Sequence, residues 1–257
     1  MITSPQNRKI KDIRRLLRSK GEHAVLEGPH LVQEALAAGL ELESAVATPA
    51  FLASATGREL RERLAAPPIE VADAVLAALA DADSPRGVLA VAALPRAGAA
   101  ALPVRRSGIY VLAEALQEPG NLGALARVAE AAGAAGLFLT RGSAHPNHPR
   151  ALRASAGSLL RLPVAIDVEV GEVEERLAAI HPRWVALVPR GGVELHGALL
   201  ERALVLMVGS EGAGLSPALA ARADLRLTIP LEPPVESLNA TVAAAVVLFE
   251  VRRRRAG

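Results

Sequence analysis

The chain of 257 residues has no cysteine, which removes disulfide scaffolds, zinc ribbons and thiol chemistry together. Aromatic residues make up 2% of it, three Phe with Trp184 and Tyr110, so a nucleic-acid reader built on stacked bases has little material to use. Lysine is nearly missing as well: apart from Lys9, Lys11 and Lys20, 26 of the 29 basic residues are arginine. That bias suits bidentate phosphate contacts and is equally compatible with compositional drift. No uncharged apolar run reaches the roughly 18 residues of a membrane span, and the longest, Ala240–Phe249, is closed by Glu250 and then arginines. The opening residues lack the apolar core of a signal peptide, so the cytoplasm is the expected address, with no membrane partner. GxGxxG after a leading strand, GxxxxGK[ST] and HExxH are all absent, which leaves Rossmann dinucleotide sites, P-loops and zincin centres without support. His145 and His148 have a metal-compatible spacing but stand in a Pro- and Asn-rich loop without a nearby carboxylate, and no metal is expected.

The charge that is present is concentrated. Formal net charge is only +2, yet residues 1–20 carry +6 and Arg252–Arg255 carry +4, leaving −8 on the stretch between. Two basic arms on an acidic body are a footprint of polyanion binding, or of solvated terminal helices. Between the arms the pattern is α/β. Residues 22–93 alternate β-like runs (24–26, 44–47, 69–72 and 88–92) with amphipathic stretches at 29–38, 54–65 and 73–80. A Pro-bounded, small-residue segment, residues 95–104, reads as a linker between a first domain, 1–94, and a second, 105–257. The second domain has more apolar strands, at 109–112, 137–140, 164–168, 184–188, 204–209 and 225–230. Helical patterns lie between them at 123–132, 149–160, 172–180 and 216–223, and a last one covers 236–254. Continuous apolar strands alternating with helices predict a mostly parallel sheet covered on both faces, with ligands at the carboxyl ends of the strands.

Three segments put unusual residues at such strand ends. Glu118–Gly133 begins with turn chemistry in which Asn121 is placed to cap a helix, with Arg127 about a turn and a half further in. Leu204–Pro217 is a strand followed by Gly209, Gly212 and Gly214 around Ser210 and Glu211, where glycine allows close ligand approach or a positive φ. Leu227–Glu250 runs from a strand through a proline-stiffened loop to Ser237, Leu238 and Asn239 at the head of an Ala-rich helix. Each alone is compatible with ordinary capping and turns.

In this order the segments resemble the SpoU branch of the SPOUT methyltransferases. The matching residues are Asn121, Gly123 and Arg127; Gly209, Glu211, Gly212, Gly214 and Leu215; and Ile229, Pro230, Ser237, Leu238 and Asn239. Arg153–Gly157 with Leu162 and Pro163 fits as well, so the likeness covers about residues 105–252. The preceding α/β domain is similar to the L30e-like substrate-binding domain of rRNA-directed members, on layout and on Val25–Leu36. Glu118 stands where the family commonly has Asp, Pro234 where it often has Gly, and the loop 144–148 lacks an aromatic.

The resemblance implies a second domain tied in a deep trefoil knot, holding S-adenosylmethionine and methylating a ribose 2′-hydroxyl of RNA, with 23S rRNA favoured over tRNA. By position, Gly209, Glu211, Gly212, Ile229, Leu231, Leu238 and Asn239 would hold the cofactor. Arg127, Asn121, Glu211, Ser237 and Asn239 would form the catalytic set. Family accounts make the arginine the base, but a guanidinium is a poor base at neutral pH. Arg127 as a phosphate clamp that stabilises the developing alkoxide is the other reading, and both stay open here. Arg8, Lys9, Arg14, Arg15 and Arg153 are the expected RNA contacts, and a homodimer through the knot domain is expected. The rival readings are an RNA-binding knot module without turnover, and base methylation as in other SPOUT branches.

Overall fold

The computed structural model describes residues 1–18, 22–64, 66–80, 86–94, 96–200 and 202–256. Lys20, Ala65, Pro95 and Gly257, which begin or end predicted segments, lie outside the described residues, as does the Arg18 side chain. The chain divides into two units, residues 1–95 with 147–161, and residues 96–146 with 162–257.

The first unit contains α1 (Arg8–Arg18), β1 (His23–Glu27), α2 (Pro29–Ala37), β2 (Leu42–Ala47), α3 (Pro49–Ala53), α4 (Ala55–Arg63), β3 (Ile69–Glu70), α5 (Asp73–Ala77) and β4 (Val88–Ala93). Its sheet has the order β1-β4-β2-β3, antiparallel except for β2 with β3. One predicted helix, 54–65, is preceded by a separate one, because Ser54 is extended and its hydroxyl accepts from Gly57 N at 3.0 Å, ending α3 and opening α4. Helix α1 buries Ile10 and Ile13, three residues apart, against Val25, Val46, Val71 and Val91, and leaves Arg8, Lys9, Lys11 and Arg15 exposed. Burying two such side chains contributes roughly 1.5–3 kcal/mol each, which holds a highly charged helix in place.

Numbering continues with β5 (Ile109–Ala113), α6 (Pro119–Ala131) and β6 (Gly136–Thr140) in the second unit, then α7 (Pro149–Ser155) and α8 (Ser158–Arg161), which belong to the first. The predicted helix 149–160 is thus two, broken where Ala156 and Gly157 take positive φ. A Cβ at Gly157 would lie 2.6 Å from Glu34 Oε2. This excursion is fastened to its unit by Asn147 Nδ2 donating to Leu94 O at 2.8 Å, by Arg153 with Glu27, and by Arg161 with Glu34. By their contacts residues 147–161, which lie within the stretch read from sequence as the methyltransferase domain, group with the first unit.

The second unit resumes with β7 (Val164–Val168), α9 (Val170–Leu177), β8 (Arg183–Leu187), β9 (Val193–Glu194), β10 (Leu204–Val208), α10 (Pro217–Ala220), β11 (Leu225–Thr228) and α11 (Ala240–Ala256). Its seven strands lie in the order β7-β6-β5-β10-β8-β11-β9 and all pair in parallel. Strands β5 and β10 are buried at every residue, which explains their continuous apolar sequence. From β5 the chain runs outward through β6 and β7, and the later strands β8 to β11 all lie on the other side of β5, so a topological switch point falls between β5 and β10. The stretch read as a linker is built into this unit: Ile166 N donates to Ala97 O at 3.1 Å, Leu102 is buried, and the Tyr110 hydroxyl donates to Pro103 O at 2.8 Å.

The C-terminal basic arm is corrected by the structure. Arg252 donates to Ala131 O at the end of α6, Arg254 to the carbonyls of Leu195, His196 and Ala198, and Arg255 to those of Ser107 and Arg202. Arg253 and Arg254 also pair with Glu250, at 2.8 and 2.7 Å. These guanidiniums satisfy carbonyls at helix and loop ends, a structural use of charge that composition cannot distinguish from an arm. No helix among the described residues is long and apolar enough to cross a membrane.

Candidate functional site

At the switch point the chain leaves β10 through Gly209 and returns on itself. Ser210 N donates to Gly214 O at 3.2 Å and Gly214 N to Ser210 O at 3.0 Å, closing a tight loop. An ideal Cβ at Gly209 would collide with the Gly214 carbonyl carbon and the Leu215 nitrogen, so only glycine fits there, and Gly214 has φ +67. Glu114, just past β5, accepts from Ser216 N at 2.7 Å and anchors the far end of the loop, while the Ser216 hydroxyl caps α10. Gly212 at the tip has open space where a side chain would be.

Helix α6 begins one strand over. Its cap is Glu118, whose carboxylate accepts from Gly120 N at 3.5 Å, because Pro119 takes the first helical position. Asn121, expected as a cap, lies instead inside the first turn, where its side chain is free to reach across the crevice. Its Nδ2 donates to Glu211 Oε1 at 2.8 Å and its Oδ1 accepts from Asn239 Nδ2 at 3.2 Å. Asn239 Oδ1 then accepts from Thr241 N at 2.9 Å and Val242 N at 3.3 Å, capping α11. This cap is why the helix starts at Ala240 and not at the predicted 236. The Thr241 hydroxyl closes the circuit on Asn121 O at 3.0 Å. An ionised Glu211 can only accept, which fixes the direction of both amides: nitrogen of Asn121 toward Glu211, nitrogen of Asn239 toward Asn121, oxygen of Asn239 toward α11. The three motif segments are therefore joined by one polar chain.

Beside that chain is a cavity of about 540 Å³ at the carboxyl ends of β8, β10 and β11, within the usual range of small-molecule sites. All seven residues expected to hold the cofactor line it: Gly209, Glu211, Gly212, Ile229, Leu231, Leu238 and Asn239. Ser237 lines it as well. Apolar walls with glycine backbone between them and a few polar groups at one end suit a flat heterocycle joined to a charged tail, so the residues present fit S-adenosylmethionine. Leu187 at the end of β8, Val188, Pro189 and Arg190 just past it, and Arg226 on β11 form a wall that motif reading missed. Their signal was position, since Leu187–Arg190 spans the carboxyl end of a predicted strand and two glycines follow it.

Arg127 stands apart. It is exposed on α6, six residues past Asn121 and so about 9 Å along the axis, and does not line the cavity. Of the expected RNA contacts, Arg8, Lys9 and Arg15 are exposed on α1 and Arg14 is half-buried. Arg153 lies 2.5 Å from Glu27 Oε2, with side chains 30% and 6% exposed. His148 caps α7 through Nδ1, accepting from Arg150 N at 3.1 Å. A larger cavity of about 740 Å³ opens at the amino ends of the strands around Trp184. Of its charged groups, Glu174 pairs with Arg222, Arg183 donates to Leu199 O and Asp224 accepts from Trp184 N, and it is the wrong end of a parallel sheet for a ligand.

Residues 7–90 match the MRM3-like substrate binding domain and residues 108–249 the SpoU rRNA Methylase family. An uncharacterized tRNA/rRNA methyltransferase of Synechocystis sp. is 34% identical over 99% of this chain and 94% of its own. The 23S rRNA (guanosine(2553)-2′-O)-methyltransferase RlmP of Bacillus subtilis is 30% identical over 98% of each. The crystal structure of the SpoU methyltransferase AviRb from Streptomyces viridochromogenes, in complex with the cofactor AdoMet, superposes with a TM-score of 0.89 at 28% identity, covering 98% of this chain and 99% of that one. With a family match over more than half its length and a relative of this identity along nearly all of it, the chain belongs to the SpoU rRNA methylase family.

Proposed function

We propose that this protein methylates a ribose 2′-hydroxyl of 23S rRNA, using S-adenosylmethionine, in the cytoplasm. The observation that carries the reading is the polar chain Glu211–Asn121–Asn239, which joins all three motif segments beside a cavity lined by every expected cofactor residue. The names of the relatives support RNA 2′-O-methylation, and the match of residues 7–90 to a substrate-binding domain supports rRNA as the substrate.

In this reading Leu187, Val188, Ile229, Leu231 and Leu238 would supply the apolar walls for the adenine, and the backbone of Gly209 and Gly212 would offer it hydrogen-bonding groups. The cofactor supplies an electrophilic methyl group on a sulfonium. What the chain adds is alignment: holding the ribose oxygen in line can supply up to about 7–11 kcal/mol of a barrier. Asn239 and Glu211, with directions fixed by the amide chain, orient the reacting end, and Ser237 stands in the same wall. Arg127, outside the cavity and exposed, grips RNA and stabilises the alkoxide, the clamp reading of the two.

The knot implied by the family belongs to this proposal, as does a homodimer. On α11, Val242, Val246 and Phe249 are 50%, 41% and 47% exposed and share one face, while Ala244, Val247, Leu248 and Val251 are buried on the other. Two apolar faces on one helix need two partners, and a second copy provides the other. The test of function is mapping of 2′-O-methyl positions on rRNA from cells with and without the gene. Ribose methylation makes the adjacent phosphodiester resistant to alkali, and loss of one such position without the gene is expected. An unchanged methylation map with retained RNA binding would favour a binding module.

A further inference from the structure

Arg190 and Arg226 line the cavity, and neither belongs to the three motif segments. Arg190 sits on a turn whose place is set by backbone. Gly191 has φ +73, Gly192 N donates to Thr228 Oγ1 at 2.9 Å, and that hydroxyl donates to Val188 O at 3.2 Å. A Cβ on Gly192 would lie 2.7 Å from Arg226 O, so the turn lies flat against β11 and only glycine permits it. The backbone from which the Arg190 side chain projects is therefore fixed at the cavity rim.

Its recorded partner there is Glu236, 3.3 Å away, with side chains 75% and 81% exposed. An ion pair so exposed is screened by water and holds weakly, so a better-placed anion exchanges for the carboxylate. Glu236 directly precedes Ser237, Leu238 and Asn239, which form the opposite wall. An RNA whose 2′-oxygen reacts in this cavity brings an anion to that rim of necessity, because the 3′-phosphodiester is attached to the carbon next to the one bearing the 2′-hydroxyl. Arg226 has no comparable tie to the Ser-Leu-Asn wall, since it stands inside a strand.

We propose that Arg190 binds the phosphate adjacent to the target ribose, displacing Glu236, which holds the place of that phosphate while RNA is absent. The proposal rests on the functional reading above and gives it a substrate-positioning residue outside the family motifs. A planar guanidinium fork can grip a phosphate through two parallel bonds and so fix the ribose as well as attract it.

The test uses the full-length protein, an unmodified 23S rRNA transcript and calorimetric titration with S-adenosylhomocysteine. Arg190→Gln is expected to reduce the slope of log affinity against log salt by about 0.7–0.9, the contribution of one phosphate. It is also expected to raise KM for the transcript roughly tenfold while S-adenosylhomocysteine binds as before. Arg190→Lys should keep the slope and recover part of the KM, having charge without the fork. Glu236→Gln should tighten RNA binding at low salt. An unchanged slope and KM in Arg190→Gln overturns the proposal. So does weakened S-adenosylhomocysteine binding at unchanged slope, which would give Arg190 to the carboxylate of the cofactor. A wild-type protein that binds no S-adenosylhomocysteine and transfers no methyl group removes the functional reading itself, a result visible before any variant is made.

Discussion

Asn121 is held between an acceptor-only carboxylate and a second amide, and that placement determines what its replacement does. In Asn121→Asp a carboxylate faces Glu211 at hydrogen-bonding distance, two like charges that cannot both be ionised comfortably. The expected result is weakened cofactor binding at neutral pH, partly restored as the pH falls and one proton is shared, measurable by titration calorimetry across pH. Arg127→Ala is expected to differ in kind: turnover falls by orders of magnitude with cofactor affinity nearly unchanged, because Arg127 does not line the cavity. Comparable losses in both quantities would put Arg127 in the wrong role. At this scale the sequence was informative about membership and silent about direction. Glu211, Asn121 and Asn239 are 118 residues apart at the extremes, and only the fold reveals that their side chains form one chain of hydrogen bonds ending on the Glu211 carboxylate. Gly209 was legible as a place needing glycine, although the loop closing on itself, which leaves no room for a Cβ, could be seen only in the structure.

Helix α11 shows what patterning conveys and what it conceals. Its Ala-rich body was plain in the sequence, but its start was placed four residues early because Asn239 looks equally good as a first-turn residue or a cap until its amide is seen accepting from Thr241 and Val242. Its last turn carries a pH dependence. Hydrogen bonds from Arg253 and then Arg254 hold the Glu250 carboxyl down at about 2 from an ordinary 4.5. A carboxyl depressed in the folded state stabilises it above the unfolded pKa, and that contribution disappears as pH falls from about 4.5 toward 2. Thermal unfolding followed between pH 6 and pH 2 should therefore fall less steeply in Glu250→Gln than in the wild type below pH 4.5. Parallel curves would show that the pairing of Arg253 and Arg254 with Glu250 contributes nothing to stability. The arginine run was visible as charge, but charge counts say nothing about whether a guanidinium faces a phosphate or a carbonyl, and here Arg252, Arg254 and Arg255 face carbonyls.

For the whole molecule, the alternation of strands and helices was sufficient to expect two α/β units with a parallel sheet in the second. The grouping of residues 147–161 was not legible, because a strand-helix pattern carries no information on which unit a helix packs against. The association of copies is a question of the same kind, since α11 is apolar all round from Val242 to Phe249 and a lone sequence cannot say whether its second face meets its own chain. The structure leaves Val242, Val246 and Phe249 about half exposed on one face, at spacings of four and three residues. Phe249→Glu with Val246→Lys places charges on that face without touching Ala244, Val247, Leu248 or Val251, which pack inward, so the unit should fold with normal thermal stability. A homodimer through this helix would have to desolvate both new charges, and burying an unpaired charge is far costlier than the apolar contact it replaces is favourable. The expected outcome is a dimer for the wild type at micromolar concentration and a monomer for the double variant, read by sedimentation. A wild type that sediments as a monomer sinks the homodimer, and a variant that still dimerises moves the interface away from α11.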